Sequence, residues 1–599
     1  MDNYSKYKEQ KPEDTILKIQ TILNGLGLYP VQVWSGGYKG AVSKRIEIYP
    51  TSLGTNGKGS DEIYATASGY AEMMERMSNG LLTICDKSDN LKAETGFREF
   101  PDEKDMTPAE ILADPDPFTK RVLPLLGLDT YFAQLRFLNT IASMYGEDNR
   151  TLPCVPFVDP SANRIRYLPQ QLVLLINGSN GMAAGNTLEE AMVQGLSEIF
   201  ERAAGKELIN NGAVPPEIPD EELQKYSFFD LVQRIRKEGR YRVTFYDCSL
   251  GRGYPVAAIC IHDLETGTFG MKLGAHPSFA VAVERTLTEA FQGARVEQFT
   301  ANCMAVTPAE ARGYHNYANF SKNGEGNCPM TLFTGKPDWE YKPWTQWEGK
   351  NNHEFLAGML KLLRAEGYQP MFRDTSFLGF PSCFIVVPGF SEVWNTDETN
   401  HRHICASAAV RKIWAHFPNL TDEEEGRLLR LIRFCEGSKL EEEIDLISLR
   451  PLNSVYASRK IGAWLSLKRN EFMVASHFFR GMLATEADEN EALRLHAMIW
   501  YVESRAVGMS KEESQTLVRR LFRQDVADLV ARDSDDPAAA VRREFPPLSC
   551  FDCAHCAAAG TGCEYPAVRE VLVKIAKGMK AENVSQEALL ADLLGMYEA

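Results

Sequence analysis

Nowhere in the 599 residues does an apolar run approach the roughly 20 residues that a membrane-spanning helix needs, so no membrane segment is expected. Positive charge is also short. The 65 lysines and arginines stand against 81 aspartates and glutamates, and the formal charge of −16 leaves no basic footprint for nucleic acid. The common phosphate-binding signatures are missing too: there is no G-x-x-x-x-G-K-[ST], no strand followed by G-x-G-x-x-G with a later acid, and no kinase catalytic loop. The opening MDNYSKYKEQKPED is polar and lacks an apolar signal core, and thirteen cysteines, an odd number, suit a reducing compartment better than a disulfide scaffold. A cytoplasmic protein is the expectation.

What is present reads as a globular chain, 44% hydrophobic and 24% charged, longer than one hydrophobic core usually serves; two or more domains are expected. Residues 15–26 carry apolar positions at helical spacing, with Glu13-Asp14-Thr15 supplying a cap and first turn. Short apolar and polar runs alternate between 29 and 52, as strands do, while the polar, proline-punctuated stretch 86–117 predicts a loop-rich insertion. YRVTFYD (241–247), YPVAAICIHD (254–263) and CFIVVPGF (383–390) have strand character with amphipathic helices between them, which predicts an α+β core of mixed sheet and helices. Beyond 416 the helical period persists, with polar breaks and no further strand signal, as in an all-helical, tetratricopeptide-like domain made for contacts rather than chemistry. The expected division is 1–415, 416–545 and 546–599, the last holding a cysteine cluster and terminal helices.

Two passages repeat one device. Thirteen residues after Gly59 comes Glu72-Met73-Met74-Glu75-Arg76, and thirteen residues after Gly185 comes Glu198-Ile199-Phe200-Glu201-Arg202. In each, a glycine-bearing turn leads into a helix whose E-x-x-E places two carboxylates on one face. One such stretch alone reads as a solvated helix face with local ion pairs. Two of them, each among apolar neighbours, point to partly buried carboxylates that repel one another unless a cation compensates. Four carboxylates from two helices suit Mg²⁺, a hard ion that keeps water or phosphate oxygens in its shell. Arg76 and Arg202 either meet phosphate oxygens or orient the glutamates by ion pairing. A third stretch, 274–295, supplies Glu284, Arg285, Glu289 and Gln292 on another expected helix, after a His276-Pro277 turn.

Nine cysteines are scattered singly in apolar stretches, as Cys260 and Cys383 are, where a small core residue is expected. The other four, Cys550, Cys553, Cys556 and Cys563, fall within fourteen residues. That density fits a structural Zn²⁺ tetrathiolate or an iron–sulfur cluster; the spacing is not a common zinc-ribbon pattern, and four free thiols in a linker fit equally well. His555 reads as a bystander within that set, His276 as a turn residue, and His401 and His403 as surface. No general base is legible.

The segments TNGKGSDEIYATASGYAEMMERMS (55–78), SNGMAAGNTLEEAMVQGLSEIFERAA (179–204) and GAHPSFAVAVERTLTEAFQG (274–293) resemble the three core motifs of YcaO proteins. The likeness continues through YLPQQ (167–171), PPEIPDEELQKY (215–226), SLGRGYPV (249–256) and IVVPGFSEV (385–393), covering roughly residues 1–415. In that family glutamates of these helices hold ATP and Mg²⁺. The resemblance therefore implies Glu72, Glu75, Glu190, Glu198 and Glu201 at the metal, and Glu72, Glu75, Asn186, Glu190, Arg202 and Arg285 at the nucleotide. The amino-terminal YKEQKPEDTI resembles a family segment that touches the nucleotide, and adds Lys8 and Thr15. The implied activity is ATP-driven activation of a peptide amide: a nucleophile adds to the carbonyl, the oxygen is phosphorylated, and phosphate leaves to give an azoline, amidine or thioamide. Such chemistry asks for positioning and charge neutralisation rather than a covalent nucleophile.

Azoline-forming members end in a proline-rich tail, whereas this sequence ends ALLADLLGMYEA. With the helical region, that ending resembles the stand-alone branch linked to β-methylthiolation of a small-subunit ribosomal protein, as accessory to a radical methylthiotransferase. The resemblance also implies a homodimer, although no coiled-coil heptad demands one. Two other readings stay open: a peptide-modifying enzyme making thioamides or azolines in a natural-product pathway, and a nucleotide-binding scaffold without turnover. ATP and a peptide or protein substrate are the expected ligands, with no membrane or direct nucleic-acid partner.

Overall fold

The computed structural model describes residues 8–38, 41–82, 89–145, 148–292, 295–301, 303–324, 326–393, 396–414, 419–436, 457–544 and 563–598. The chain forms two compact units: unit 1 takes Met1–Leu135, Arg150–Asp397 and Val568–Ala599, and unit 2 takes Arg136–Asn149 and Glu398–Ala567. These units cut the chain differently from the division 1–415, 416–545 and 546–599, because the terminal helices return to unit 1.

Unit 1 opens with helix α1 (Pro12–Gly25), which starts earlier than expected. Lys11 is its cap and Pro12 opens the first turn, where a missing N–H is no loss; Glu13 and Asp14 then face the positive end of the helix dipole. There follow β1 (Tyr29–Tyr38), β2 (Ala41–Tyr49), β3 (Gly54–Gly59), α2 (Glu62–Ser78), β4 (Lys104–Met106), β5 (Leu152–Asp159), β6 (Arg164–Pro169), β7 (Met182–Ala184) and α3 (Leu188–Lys206). The next elements are β8 (Tyr241–Asp247), β9 (Val256–Asp263), β10 (Phe269–Ala275), α4 (Phe279–Ala290), α5 (Asn352–Ala365), β11 (Met371–Asp374) and β12 (Ser382–Val386). The expected loop-rich stretch 86–117 carries helix Asp89–Thr95, strand β4 and helix Pro108–Ala113. The last is started by a capping box between Thr107 and Glu110, a local signal stronger than the polar composition around it.

These strands make three antiparallel sheets, β1-β2-β3, β8-β9-β10, and β4-β5-β11-β12-β7 with β6 also paired to β5, and a short parallel pair, Ala305–Val306 with Cys328–Pro329, makes a fourth. Strand β5 is buried along its whole length, as a central apolar strand covered on both faces should be. Strands β3, β7 and β10 each lie at the edge of their sheet, and each runs through a short turn into a helix, α2, α3 and α4 respectively. Asp61 caps α2 by accepting from Ile63 N and Tyr64 N, and Thr187 caps α3 by accepting from Glu190 N. Glycine lets two of these strands lie directly on their helices: a Cβ on Gly57 would stand 2.0 Å from Ala65 O, and one on Gly274 would stand 2.5 Å from Ala282 O.

Unit 2 is helical, with no strand among its described residues. From Glu398 on, its described helices include α6 (Glu398–Trp414), α7 (Asp422–Cys435), α8 (Ala457–Lys468), α9 (Phe472–Leu483), α10 (Glu489–Ala506), α11 (Lys511–Leu521), α12 (Gln524–Asp535) and α13 (Pro537–Glu544). Each of α8 to α11 packs on the next helix in sequence, and Leu428, Trp464, Phe478 and Val502 share one core. The chain then passes through α14 (Tyr565–Gly578), which joins unit 1 from Val568, to α15 (Gln586–Glu598). Leu589 and Leu593 of α15 belong to the unit 1 core with Val158 and Phe372. Gln586 pairs with the backbone of Asp374, accepting from its N–H at 3.1 Å and donating to its carbonyl at 2.8 Å. Among the described residues no helix is long and apolar enough to cross a membrane.

Candidate functional site

Helices α2, α3 and α4 turn one face each toward a cavity of about 440 Å³ within unit 1. Along α3 its lining residues are Glu190, Gln194, Glu198, Glu201, Arg202 and Gly205, a stripe at helical spacing; α2 supplies Glu72, Glu75 and Arg76 below a wall of Tyr64, Ala67, Ser68 and Ala71. All ten of Lys8, Thr15, Glu72, Glu75, Asn186, Glu190, Glu198, Glu201, Arg202 and Arg285 line this one cavity. Arg76 reaches Glu72 at 3.5 Å and Glu75 at 3.6 Å, and Arg202 reaches Glu198 at 3.5 Å, so each arginine is a loose partner of its own helix's carboxylates.

At one end the amino-terminal segment folds onto α3. Lys8 Nζ pairs with Glu190 Oε1 at 2.8 Å, the Glu9 N–H donates to Glu190 Oε2 at 3.1 Å, and Asn186 Nδ2 donates to Glu190 Oε2 at 3.2 Å. Thr15 donates from its hydroxyl to Asn186 Oδ1 at 2.8 Å, and Asn352, opening α5, donates to Glu9 at 2.7 Å. Arg285 Nη1 donates to the Ala275 carbonyl at 2.6 Å while its Nη2 pairs with Gln194 Oε1, which fixes the guanidinium plane.

The carboxyls respond to these surroundings in two ways. Burial pushes Glu75 up to about 8, against the pull of Arg76 and helped by Glu198 and Glu72. Glu201 is also raised, by burial first and then by Glu198, with Arg202 opposing. Glu190 goes down: burial alone would raise it, but Lys8, the Glu9 N–H and Asn186 outweigh burial. Among the described residues no three His, Cys, Asp or Glu side chains are already gathered to hold a metal by themselves.

Two cavity residues carried no signal of their own in the sequence. Lys58 on β3 pairs with Glu289 of α4, and Lys272 stands on β10. Burial lowers both lysines; Lys58 and Arg202 add to the fall of Lys272, to about 8. A lone lysine in FGMKLGA, or one between glycines in NGKGS, faces a cavity only if that particular edge strand packs against the site. His276 also lines the cavity, but its Nδ1 accepts from Ser278 N at 2.9 Å, as expected of a turn residue, and burial drives its pKa well below the ordinary value. Cys260 and Cys383 are buried in the core. Cys550, Cys553, Cys556 and His555 lie outside the described residues, and Cys563 is half-buried just before α14.

Residues 56–391 match the family model described as YcaO cyclodehydratase, ATP- and Mg²⁺-binding. A protein of Haemophilus influenzae described only as uncharacterized is 28% identical over 515 residues, 83% of this chain and 84% of its own length. The Escherichia coli protein named ribosomal protein S12 methylthiotransferase accessory factor YcaO is 28% identical over 506 residues, 82% of this chain and 81% of that one. Among solved structures, YcaO from Methanopyrus kandleri bound with AMPPCP and Mg²⁺ matches at 18% identity with a TM-score of 0.38, covering 64% of this chain and 92% of that chain. A heterocyclase in complex with substrate and cofactor matches at 18% identity with a TM-score of 0.43; the match covers 64% of this chain and 53% of the heterocyclase, about half its length. The family model takes in more than half of this chain, including all three strand–turn–helix devices that build the cavity, and on that match the chain belongs to the YcaO family of ATP- and Mg²⁺-binding domains.

Proposed function

We propose that this chain binds ATP with Mg²⁺ in the unit 1 cavity and serves, as a homodimer, in β-methylthiolation of a small-subunit ribosomal protein alongside the methylthiotransferase. One observation carries the nucleotide assignment: the paired carboxylates of α2 and α3, more than a hundred residues apart, line a single cavity together with Arg76, Arg202 and Arg285. The donor set fits the two ligands. Burial and the neighbouring Glu198 and Glu72 push Glu75 up to about 8 despite Arg76 at 3.6 Å, so a further cation would relieve it, and carboxylate oxygens suit Mg²⁺, which keeps water and phosphate oxygens in its shell.

In this reading Glu72, Glu75, Glu190, Glu198 and Glu201 hold Mg²⁺, and Lys8, Thr15, Asn186, Arg202 and Arg285 join Glu72, Glu75 and Glu190 around the nucleotide. ATP held there would supply a phosphoryl group able to turn a carbonyl oxygen into a leaving group. The chain's own contribution is orientation. Glu190 is locked by three donors and Arg285 by two acceptors, so neither has to reorganise when charge shifts in the cavity.

Equilibrium binding of a non-hydrolysable ATP analogue with Mg²⁺ to the wild type, Glu72→Gln and Glu201→Gln tests the site. Tight binding lost in both variants is expected; equally weak binding by all three overturns it. The finer assignment is read from the mass of the small-subunit ribosomal protein in cells with and without this chain, where full modification in its absence would sink the accessory role. A second reading, ATP-dependent conversion of a peptide backbone amide to a thioamide or azoline, is favoured by the family model's description as a cyclodehydratase. It would replace the first if a precursor peptide changed mass only with this chain and ATP.

A further inference from the structure

Strand β12, SCFIV, is buried along its whole length, and Ser382 is its one hydroxyl. A hydroxyl out of water costs stability unless it is bonded, and this one uses its whole capacity of one donor and two acceptors. Ser382 Oγ donates to the Ala183 carbonyl at 3.0 Å, and accepts from Asn79 Nδ2 at 3.2 Å and from the Thr375 hydroxyl at 3.1 Å. Ser382, Asn79 and Thr375 are all buried, and none of them lines the cavity.

Two of the three bonds lead toward the carboxylate helices. Asn79 caps the end of α2, and its backbone N–H and its Nδ2 both donate to the Glu75 carbonyl at 3.0 Å. Ala183 lies on β7, and the residues that follow it, Ala184, Gly185 and Asn186, line the cavity before α3 begins. Ser382 stands opposite Ala184 across the ladder, and the Gly185 N–H donates to the Pro381 carbonyl at 3.0 Å. One hydroxyl thus bridges the backbone of Glu75 to the strand that launches α3, through residues 303 apart in sequence. The third bond, from Thr375, stays between β11 and β12 and reaches neither helix.

We propose that Asn79 and Ser382 are positioning residues whose mutual bond sets the spacing between the α2 and α3 carboxylates. The two helices spring from different sheets, and oxygens that share one ion have to be held to within about 0.5 Å. The proposal rests on the ATP reading and extends it to side chains behind the cavity wall. Asn79→Ala and Thr375→Val make a matched pair, because each removes one buried bond to the same oxygen while only the first cuts the tie between α2 and β7. The full chain is titrated calorimetrically with a non-hydrolysable Mg²⁺–ATP analogue, its melting is followed, and backbone amide exchange is read without ligand.

Both variants should melt below the wild type, but Asn79→Ala alone should weaken the analogue, about tenfold. Equal affinity in the two variants, whether both fall or neither does, overturns the proposal, since a bond that serves only the fold lowers melting without separating them. In the ligand-free chain Asn79→Ala should quicken exchange at 183–187, which the cap bond to Glu75 does not reach, and Thr375→Val should not. Should Asn79→Ala fail to fold, Ser382→Ala cuts the same bond, with exchange then read at the last turn of α2, where the Asn79 cap is left in place. If the wild type does not bind the analogue, the ATP reading falls by itself. Exchange still decides the tie: quickening at 183–187 confined to Asn79→Ala supports it, and the same pattern in both variants overturns it.

Discussion

Asp533 in the helical unit and Glu75 in the cavity of unit 1 are both carboxyls largely withdrawn from water, and they live in opposite company. Asp533 on α12 accepts from Arg494 at 2.9 Å, Arg532 at 2.9 Å and Arg543 at 2.5 Å, and the neighbouring Glu544 takes Arg494 at 2.8 Å and Lys460 at 2.6 Å. Glu75 has one arginine, at 3.6 Å, and other carboxylates nearby. Burial works against the charged form in every case. In unit 2 the arginines and the lysine outweigh it and hold Asp533 and Glu544 below the ordinary range, whereas in the cavity burial and like charge win and Glu75 and Glu201 rise. A cluster that neutralises itself serves the fold; one left short of counter-charge is arranged for something that arrives.

That contrast can be broken most forcefully at Asp533. Asp533→Asn leaves three arginines without their shared acceptor and should destabilise unit 2 by about 4 kcal/mol, read by denaturant unfolding, with binding of the ATP analogue in unit 1 unchanged. Because the folded pKa of Asp533 lies below its unfolded value, its stabilisation is present above the unfolded value of 3.8 and is lost as pH falls through the folded one. The gap between wild type and variant should therefore shrink in acid; a gap that does not change with pH would mean that packing, not charge, holds the cluster.

In the cavity the same kind of substitution should spare stability and remove binding. Glu72→Gln and Glu201→Gln are each expected to weaken the Mg²⁺–ATP analogue about 100-fold, about 2.7 kcal/mol, with a melting temperature no lower than the wild type's. A fall in melting temperature to match the lost affinity would place these glutamates with the structural cluster. The pH dependence of the ligand-free chain gives a smaller signal. With Glu75 raised from 4.5 to about 8 on folding, ionisation favours the unfolded chain, so its contribution to stability declines as pH rises between those values and levels off above them. Glu75→Gln should remove that slope, and an unaltered slope would assign it to another group. The smallest effect is expected at Thr15→Val, which removes the hydroxyl bond to Asn186: about 1 kcal/mol, or roughly fivefold in nucleotide affinity.

The acidic side of the cavity was legible because one spacing occurs twice. The interval from Gly59 to Glu72 equals that from Gly185 to Glu198, and the helical period turns each E-x-x-E into a face. Lys8 and Thr15 came from family resemblance alone, since a lysine near a chain terminus carries no spacing to read. Lys58 and Lys272 were illegible for a different reason: which face of an edge strand meets the site depends on which helix lies across it, and that is a tertiary fact. The strands β8 and β9 show in their β-branched and aromatic runs, whereas the start of α1 has little signal, because its cap, Lys11, makes no side-chain bond and Pro12 marks a helix opening as readily as a break. The apolar period of α15 announces an amphipathic helix but names no partner core, so its return to unit 1 had no signal at all.

That return sets an order of events during synthesis. Leu589 and Leu593 leave the ribosome only after every residue of unit 2 has been made, so the helical unit can collapse on its own while the core around Val158 and Phe372 still waits for its last two leucines. A nascent chain stalled or clipped before Val568 would carry a finished helical unit and an unfinished cavity unit, with apolar surface exposed to chaperones and proteases where α15 should lie.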